Sequence, residues 1–277
     1  MVSGRIGGIG FGRSGGDTNL DFGGIWAQGL YNKTKLNDAF NGYTRGVAFG
    51  FDGTVNEDWT LGVGYMFARS DVRGDTRDTD IDSSTMFFYG QYKPNAWYAN
   101  ASMNYTMADY HEDGSALGVA VSADYDVDVF GARAATGYDF IGGITPELAM
   151  QYMHINSIDY ANSLGVQNHF GGADYLNASL GTKYEFDFFT NSGWVIRPQL
   201  RYAVKYDLIS DKHNALVTMP GVSPYVLDTA RLSRIANEVG IGLAMNYGTM
   251  EISLNYDIEA RADYTSQTGR AKFRYEF

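Results

Sequence analysis

Apolar and polar residues alternate with a period of two over long stretches of this chain. The clearest stretch is "EISLNYDIEARA" at 251–262, and "WVIRPQLRYAVKYDL" at 194–208 and "DYLNASLGTKYEFDFF" at 174–189 repeat the pattern. Because successive side chains of a β-strand point to opposite faces, each stretch predicts a strand with one apolar and one polar face. These strands are longer than the five or six residues typical of a soluble sandwich.

About twelve segments of this type can be counted along the chain. They start near Ile25, Tyr43, Trp59, Ser83, Trp97, Val127, Thr145, Tyr175, Trp194, Leu232, Met250 and Gly269. Outer-membrane barrels use an even number of tilted strands of about ten residues each, which fits this count.

The connections between these segments alternate between short and long. The short ones are "VNED", "KPNA", "GGI", "TNSG" and "YGT". The long ones are "DVRGDTRDTD", "HEDGSALGVAVSAD", "NSIDYANSLGVQNHFGGA" and "SDKHNALVTMPGVSPYVLDT". A meander through a membrane has tight turns on one side and long loops on the other.

The predicted fold is therefore all-β: a twelve-stranded antiparallel transmembrane β-barrel over residues 23–277, with residues 1–22 as a linker in the pore. A large soluble sandwich or propeller would also alternate, but no repeat of the blade type is visible.

Charge decides which face of each strand turns inward. A Lys or Arg that faces lipid at the bilayer midplane costs roughly 2–4 kcal/mol, so the charged faces are expected to line the lumen. The candidates for this lining carry both signs, and they are Arg197, Arg201, Lys205, Glu251, Asp257, Glu259, Arg261, Lys272, Arg274 and Glu276. Trp59, Trp97 and Trp194 lie beside short turns, as expected of an interfacial aromatic girdle.

Composition supports strands and excludes several partners. The 277 residues include 34 Gly, 21 Tyr and 16 Phe but only 5 Pro, which favours strands joined by turns. A net charge of -11 argues against nucleic acid as a partner. Cysteine is absent, so thiolate chemistry and cysteine metal sites are excluded, and we predict no cofactor or metal.

The chain has no apolar run that approaches the roughly 18 residues of a spanning helix, and its mean hydropathy is -0.26. The opening "MVSGRIGGIG" lacks the apolar stretch of a signal peptide. For an exported protein, this sequence is expected to be a mature fragment.

Two glycine-rich strings near the start match catalytic or nucleotide-binding patterns only formally. "GRSGG" at 12–16 fits a nucleophile elbow and "GFGRSG" at 10–15 fits a dinucleotide fingerprint. Both patterns need a preceding strand and a following helix, and neither context is predicted, so we interpret the segment as a flexible linker.

The four histidines have no metal-ligand spacing, and His111 and His213 are predicted to lie in loops. A barrel enzyme would need such a histidine beside loop carboxylates; we predict no enzyme activity. The "RGD" string at 73–75 falls in a predicted external loop, where a role in adhesion is a further hypothesis.

The ordered set of segments resembles the C-terminal translocator domain of bacterial autotransporters, the type V secretion proteins. The likeness runs from about Arg13 to Phe277. It is carried by "RSGGDTNLDFGGIWAQGLYNKTKL", "GYTRGVAFGFDGTVNEDWTLGVGYMFARSDV", "GADYLNASLGTKYEF", "IRPQLRYAVKYDL" and the terminal "KFRYEF".

The resemblance implies a barrel in the outer membrane of a Gram-negative bacterium, in contact with membrane lipids. Because such a barrel closes with about twelve of its own strands, it needs no partner to remove its edges, and we predict a monomer. Both termini would lie on the periplasmic side, with the N-terminal segment entering the pore and a secreted passenger preceding it. The family ends in an aromatic β-signal that the outer-membrane assembly machinery recognises, and Phe273, Tyr275 and Phe277 occupy the matching alternate positions.

Two features depart from the family. A pore helix is common before the first strand, but the segment 3–17 is rich in glycine, which costs about 1 kcal/mol per residue in a helix. The Asn-Asn pair that some members use for cleavage inside the barrel does not occur in residues 1–22. A porin-like or adhesive barrel without a passenger is the alternative function.

Overall fold

The computed structural model describes residues 23–37, 39–75, 77–116, 118–210, 215–219, 222–227 and 233–277. The predicted pore segment at 1–22 and the predicted loop residue His213 lie outside these residues.

All regular elements in the described part of the chain are β-strands. In chain order they are β1 (Gly24–Leu36), β2 (Phe40–Asn56), β3 (Trp59–Gly74), β4 (Arg77–Tyr92), β5 (Trp97–Ala116), β6 (Val119–Tyr138), β7 (Ile144–Ile155), β8 (Ile158–Ala161), β9 (Gln167–Phe170), β10 (Ala173–Glu185), β11 (Phe188–Phe189), β12 (Val195–Ser210), β13 (Ala215–Met219), β14 (Val222–Leu227), β15 (Ile235–Tyr247), β16 (Met250–Arg261) and β17 (Tyr264–Glu276). No helix among the described residues is long and apolar enough to cross a membrane.

Twelve long strands form one closed antiparallel barrel, which confirms the predicted fold class. The barrel consists of β1–β7, β10, β12 and β15–β17, each hydrogen-bonded to the next in chain order. β10 bridges β7 and β12, and the circle closes where β1 pairs with β17 along their whole length. We call this β1–β17 contact the closing seam.

Burial alternates along the barrel strands, and the exposed face is rich in apolar side chains, unlike the surface of a soluble protein. On β17 the charged Arg274 is buried, while its neighbours Phe273 and Tyr275 are exposed. On β2 the apolar Val47, Phe49 and Phe51 are exposed in the same way. The outer surface is therefore an apolar band that suits contact with lipid.

The barrel has two unlike ends. One end, which we call the terminal end, holds the start of β1, the end of β17 and five connections of at most nine residues. At this end Trp59 and Trp97 pack on Tyr92 with ring centroids 4.8 and 5.9 Å away. Trp194 stacks on Tyr247 at 5.1 Å. Outward aromatic rings thus border the apolar band at the terminal end.

We call the opposite end the hairpin end. Here two segments that were predicted as loops are strands. β3 continues to Gly74 and β4 begins at Arg77, so most of the predicted loop at 71–80 is a strand hairpin. Arg73 of the "RGD" string therefore lies in a strand, where it binds Asp80 at 2.8 Å. The polar composition suggested a loop, but paired strands satisfy their backbones by themselves and can carry charged side chains beyond the membrane.

The second corrected loop is 111–124, which forms the ends of β5 and β6. His111, predicted to lie in a loop, therefore belongs to β5. The short strands β8 and β9 add a further hairpin that packs beside this one through a stack of rings. Its ring centroids are 5.1 Å apart from Tyr110 to Tyr125, 4.3 Å from Tyr125 to Tyr160 and 6.1 Å from Tyr160 to Phe170.

Candidate functional site: the inner wall of the barrel

The inner wall of the barrel divides into two sectors of different chemistry. The charged wall consists of the inward side chains of β10, β12 and β15–β17. It carries Lys183, Glu185, Arg197, Arg201, Lys205, Asp207, Glu238, Glu251, Asp257, Glu259, Arg261, Arg270, Lys272, Arg274 and Glu276. The neutral wall consists of the inward side chains of β1–β5, which are mostly apolar or hydroxyl-bearing.

The structure brings all ten predicted lining residues together on the charged wall. Seven are at most 9% exposed, namely Arg197, Arg201, Glu251, Asp257, Lys272, Arg274 and Glu276. The other three, Lys205, Glu259 and Arg261, have side chains that are between 9% and 18% exposed. The charged groups of these three side chains each lie close to a partner of opposite charge.

A first group of ion pairs lies toward the hairpin end. Lys205 Nζ is 2.5 Å from Glu238 and 2.8 Å from Glu259. Arg261 contacts Glu259 at 2.9 Å and also pairs with Asp207. This chain of alternating charges runs across β12, β15 and β16.

A second group lies at mid-height and is centred on one carboxylate. Asp257 of β16 accepts hydrogen bonds from Arg201 of β12, at 2.5 Å, and from Arg270 of β17. Arg201 reaches Asp257 across β15, where Gly240 leaves the path open. A Cβ atom at Gly240 would lie 2.2 Å from an Asp257 oxygen and 2.8 Å from Arg201 Nε.

A third group joins the two walls across the closing seam. Arg274 of β17 contacts Asp52 of β2 at 2.6 Å and Glu276 at 3.1 Å. Tyr89 of β4 donates to Asp52 at 2.7 Å and accepts from Trp26 at 2.8 Å. The first, second and fourth strands are thereby tied to the last.

Further pairs complete the lining near the terminal end. Lys183 contacts Glu185 at 2.7 Å, and Lys93 contacts Asp139 at 2.6 Å. On β6 and β7, Arg133 donates to Glu147 at 3.0 Å. Buried charges need partners and hydrogen bonds, and the inner face of the barrel as a whole supplies them.

The neutral wall is held by hydroxyl pairs and by rings that lie over glycines. Thr85 and Thr106 bond at 2.8 Å between β4 and β5. Phe87 stacks on Trp26 with ring centroids 5.9 Å apart. A Cβ atom at Gly64 would lie 2.3 Å from the Phe87 ring. The ring therefore occupies space that is free because the neighbouring strand has a glycine at this position.

Sequence reasoning did not single out three central members of the lining. Arg270 shares its face with Lys272 and Arg274, so the period of two would have found it. Glu238 and Asp52 are isolated acids on strands with few other charges. Their partners lie on distant strands, and the alternation within one strand does not predict which residues of other strands it will contact.

The three predicted β-signal residues lie outside the barrel, on the seam. Phe273, Tyr275 and Phe277 are all exposed on the apolar outer face. Across the seam, Tyr275 is opposite Ile25 and Phe273 is opposite Ala27. The Phe277 backbone N–H donates to the Gly23 carbonyl oxygen at 3.1 Å.

Within the described residues, no group of three or more His, Cys, Asp and Glu side chains could hold a metal ion. The described histidines each contact aspartates instead. His111 Nδ1 lies 2.5 Å from Asp124, beyond the apolar band on the β5–β6 hairpin. The hydrogen bond and charge of Asp124, with a further contribution from Asp113, raise the pKa of His111 above its ordinary value.

Comparison with known proteins extends these observations. The family described as "Autotransporter beta-domain" matches residues 25–257. Outer membrane protein B of Rickettsia typhi is 23% identical over 92% of this chain. That alignment covers 17% of the relative, so the chain spans less than a fifth of its length.

Two solved structures share the fold. The beta domain of the Bordetella autotransporter BrkA has a TM-score of 0.75 at 15% identity, covering 93% of this chain and 100% of that one. The translocator domain of autotransporter NalP from Neisseria meningitidis has a TM-score of 0.73 at 17% identity, covering 94% and 90%.

Family and fold together support an integral β-barrel of a bacterial outer membrane. Since the family match covers most of the barrel, the resemblance seen in the sequence is confirmed. The chain belongs to the autotransporter beta-domain family.

Proposed function

We propose that this barrel exports a passenger that precedes residue 1, with the passenger's connecting segment passing through the lumen. The observation that carries the proposal is the mixed-sign inner wall inside a closed barrel of this family. In this arrangement the terminal end faces the periplasm and the hairpin end faces outward. Residues 1–22 occupy the lumen after export, and the barrel acts as a monomer.

The charged wall suits a polypeptide in transit because its charges are already paired. Asp257 is shared by two arginines, and Lys205 is shared by two carboxylates. A wall neutralised in this way offers hydrogen bonds to a passing backbone without a strong attraction for either sign of charge. Closure of the sheet on itself removes its edges, so no second copy is needed to protect them.

The seam residues Phe273, Tyr275 and Phe277 are proposed to act as the β-signal for the outer-membrane assembly machinery. All three rings are exposed on one stripe of the outer surface, beside the first strand. An extended strand with alternating aromatic side chains can be recognised by backbone pairing together with side-chain pockets.

Channel conductance tests the export proposal. We expect low conductance in planar bilayers from the 277-residue chain and a clear increase when residues 1–22 are deleted. A companion assay fuses a reporter before residue 1 and measures its protease accessibility on intact cells. Equal, large conductance in both chains together with an inaccessible reporter would instead favour a porin-like barrel without a passenger.

The β-signal proposal is tested by Phe277→Ala, with Phe51→Ala as the matched control because Phe51 is an equally exposed ring on β2. Heat-modifiable migration of membrane fractions measures the folded barrel. We expect Phe277→Ala to reduce the folded fraction strongly and Phe51→Ala to leave it nearly unchanged; the same small loss in both would overturn the proposal.

A further inference from the structure

The outer ends of β4, β5 and β6 carry rows of acidic side chains beyond the apolar band. Asp109 follows Trp97 by twelve positions on β5. At roughly 3.3 Å per residue and a tilt near 40°, it lies about 30 Å above the tryptophan, whereas an apolar band is about 25 Å tall. The outward residue that precedes it on β5, Met107, is apolar and exposed. We call the strand ends beyond this level the acidic extension, which comprises residues 77–82, 109–116 and 119–126.

The sheet register places carboxylates directly opposite one another in the lower row of the acidic extension. Asp82 of β4 is opposite Asp109 of β5, and Asp109 is opposite Asp126 of β6. On β3, Arg69 lies 3.9 Å from Asp82. β5 contains no Lys or Arg, and the one Arg of β6 is bound to a glutamate inside the barrel. Like charges that are directly opposite on neighbouring strands destabilise the pairing of those strands.

The upper row contains the one histidine of the acidic extension. His111 of β5 is opposite Asp80 of β4 and Asp124 of β6, and Asp113 lies 3.4 Å away on its own strand. Arg73 of β3 binds Asp80 at 2.8 Å. A charged imidazole therefore compensates this row, whereas a neutral one leaves its carboxylates facing each other. The other charged groups of neighbouring strands that face the two rows are Asp71, Asp78 and Asp128.

Asp109 and His111 respond to pH in the same direction. Slight burial and the charge and hydrogen bond of Asp126 raise the pKa of Asp109, and the charge of Asp82 adds to this shift. The hydrogen bond and charge of Asp124 raise the pKa of His111. A group with a raised folded pKa stabilises the fold below its unfolded pKa, which is about 3.9 for Asp and about 6.5 for His. Both contributions are lost as pH rises through the folded pKa values, so pairing in the acidic extension is strongest in acid.

The acidic extension supports the β8–β9 hairpin from its inner side. Tyr125 of β6 points inward and stacks on Tyr160 of β8, with ring centroids 4.3 Å apart. The Ser163 N–H donates to the Ser122 carbonyl oxygen at 2.8 Å, and the Ser122 N–H donates to Ser163 Oγ at 2.9 Å. These contacts depend on the position of the end of β6. Loss of pairing there therefore releases the β8–β9 hairpin.

We propose that the acidic extension is a pH-sensitive switch that holds the β8–β9 hairpin in acid and loosens it as pH rises. Protonation of Asp109 removes the repulsion in the lower row, and protonation of His111 compensates the upper row. In alkaline solution both rows are repulsive, and the ends of β5 and β6 open more often. The opening is local, because strand ends outside the membrane open at a low free energy while the closed barrel below them stays paired.

Hydrogen–deuterium exchange of the folded 277-residue chain in detergent tests the switch, with exchange times corrected for the intrinsic effect of pH. We expect the protection of amides 109–126 to fall about fivefold from pH 4.5 to pH 8, as expected of one or two unfavourable cross-strand pairs. Protection at 158–170 should fall with it, whereas protection at 241–257 of the charged wall should not change. Asp109→Asn/Asp126→Asn removes the repulsion and keeps a hydrogen-bonding pair, so a fall of about twofold should remain, which belongs to His111.

The matched control is Glu57→Gln/Asp58→Asn, which removes two carboxylates from the β2–β3 turn at the terminal end. It should retain the full fall. Unchanged protection of amides 109–126 over this pH range, or the same fall in the double Asn variant as in the control, would overturn the switch. A fall at 109–126 without one at 158–170 would overturn the support of the β8–β9 hairpin. Reporter export enters none of these outcomes, so they are independent of the translocator function.

Discussion

On the charged wall Asp257 lies between Arg201 and Arg270, whereas on the neutral wall Thr85 shares a hydrogen bond with Thr106. The hydroxyl pair joins adjacent strands, but the bond from Arg201 to Asp257 passes over β15. Long charged side chains therefore couple strands that are not neighbours in the sheet. The neutral wall also joins distant strands, through the stack of Trp26 of β1 on Phe87 of β4. The two walls therefore differ in the chemistry of their long contacts, ionic on one and aromatic on the other, and should fail differently.

The largest expected effect comes from removing the shared carboxylate of the charged wall. Asp257→Asn leaves two buried guanidinium groups without their main counter-charge. We expect a loss of about 3–5 kcal/mol in the free energy of unfolding, because breaking a buried ion pair leaves the remaining charge buried and uncompensated. Urea unfolding in detergent measures it, and Asp113→Asn at an exposed position serves as the control. A loss as small as that of the control would contradict the buried triad.

On the neutral wall the corresponding weak point is a glycine. A Cβ atom at Gly62 would lie 2.2 Å from the Tyr89 ring. Gly62→Ala should therefore cost about 1–3 kcal/mol by overpacking. The same unfolding assay applies, with Gly29→Ala as the matched control, since nothing lies within 4 Å of a Cβ at that site. Equal stability of the two variants would show that the ring moves freely.

A smaller effect is expected from the hydroxyl pair of the neutral wall. Thr85→Val removes one partner of the bond to Thr106 and keeps the side-chain shape. The expected loss is about 1 kcal/mol, the usual net worth of a neutral hydrogen bond. If Thr85→Val cost as much as Asp257→Asn, the two walls would not differ in the way described.

The smallest effect concerns an ion pair outside both walls, on the exposed β5–β6 hairpin. Because the folded pKa of His111 is raised, its pair with Asp124 stabilises the hairpin below the unfolded pKa of roughly 6.5, and that contribution disappears as pH rises through the folded pKa. An NMR titration of the His111 ring measures the pKa. Asp124→Asn should lower it toward the unfolded value, and an unchanged midpoint would assign the shift to other groups.

The sequence predicted the barrel and its inward charges because strand alternation is a local property. Arg197, Arg201 and Asp257 were identified from the faces of single strands. Glu238 and Asp52, the partners of Lys205 and Arg274, were not identified, since the register across β15 or across the seam depends on the closure of the whole sheet. The predictions of loops at 71–80 and 111–124 were wrong for a different reason. In both ranges polar residues continue in paired strands beyond the apolar band.

The β-signal and the pore segment remain predictions, since they concern recognition and residues 1–22. What the structure adds to the sequence is the pairing scheme of the inner wall, with Asp52 of the second strand bound to Arg274 of the last.

The closing seam also makes closure of the barrel a contact between the two ends of the chain. Trp26 is opposite Arg274 in the register, so the contact that completes the circle joins positions separated by nearly the whole sequence. Contacts of such separation form slowly, because loop-closure entropy is lost before they contribute. Until β17 docks, β1 and β16 are both open sheet edges able to recruit strands from other chains. An incomplete barrel therefore exposes two edges that favour aggregation until the last strand is in place.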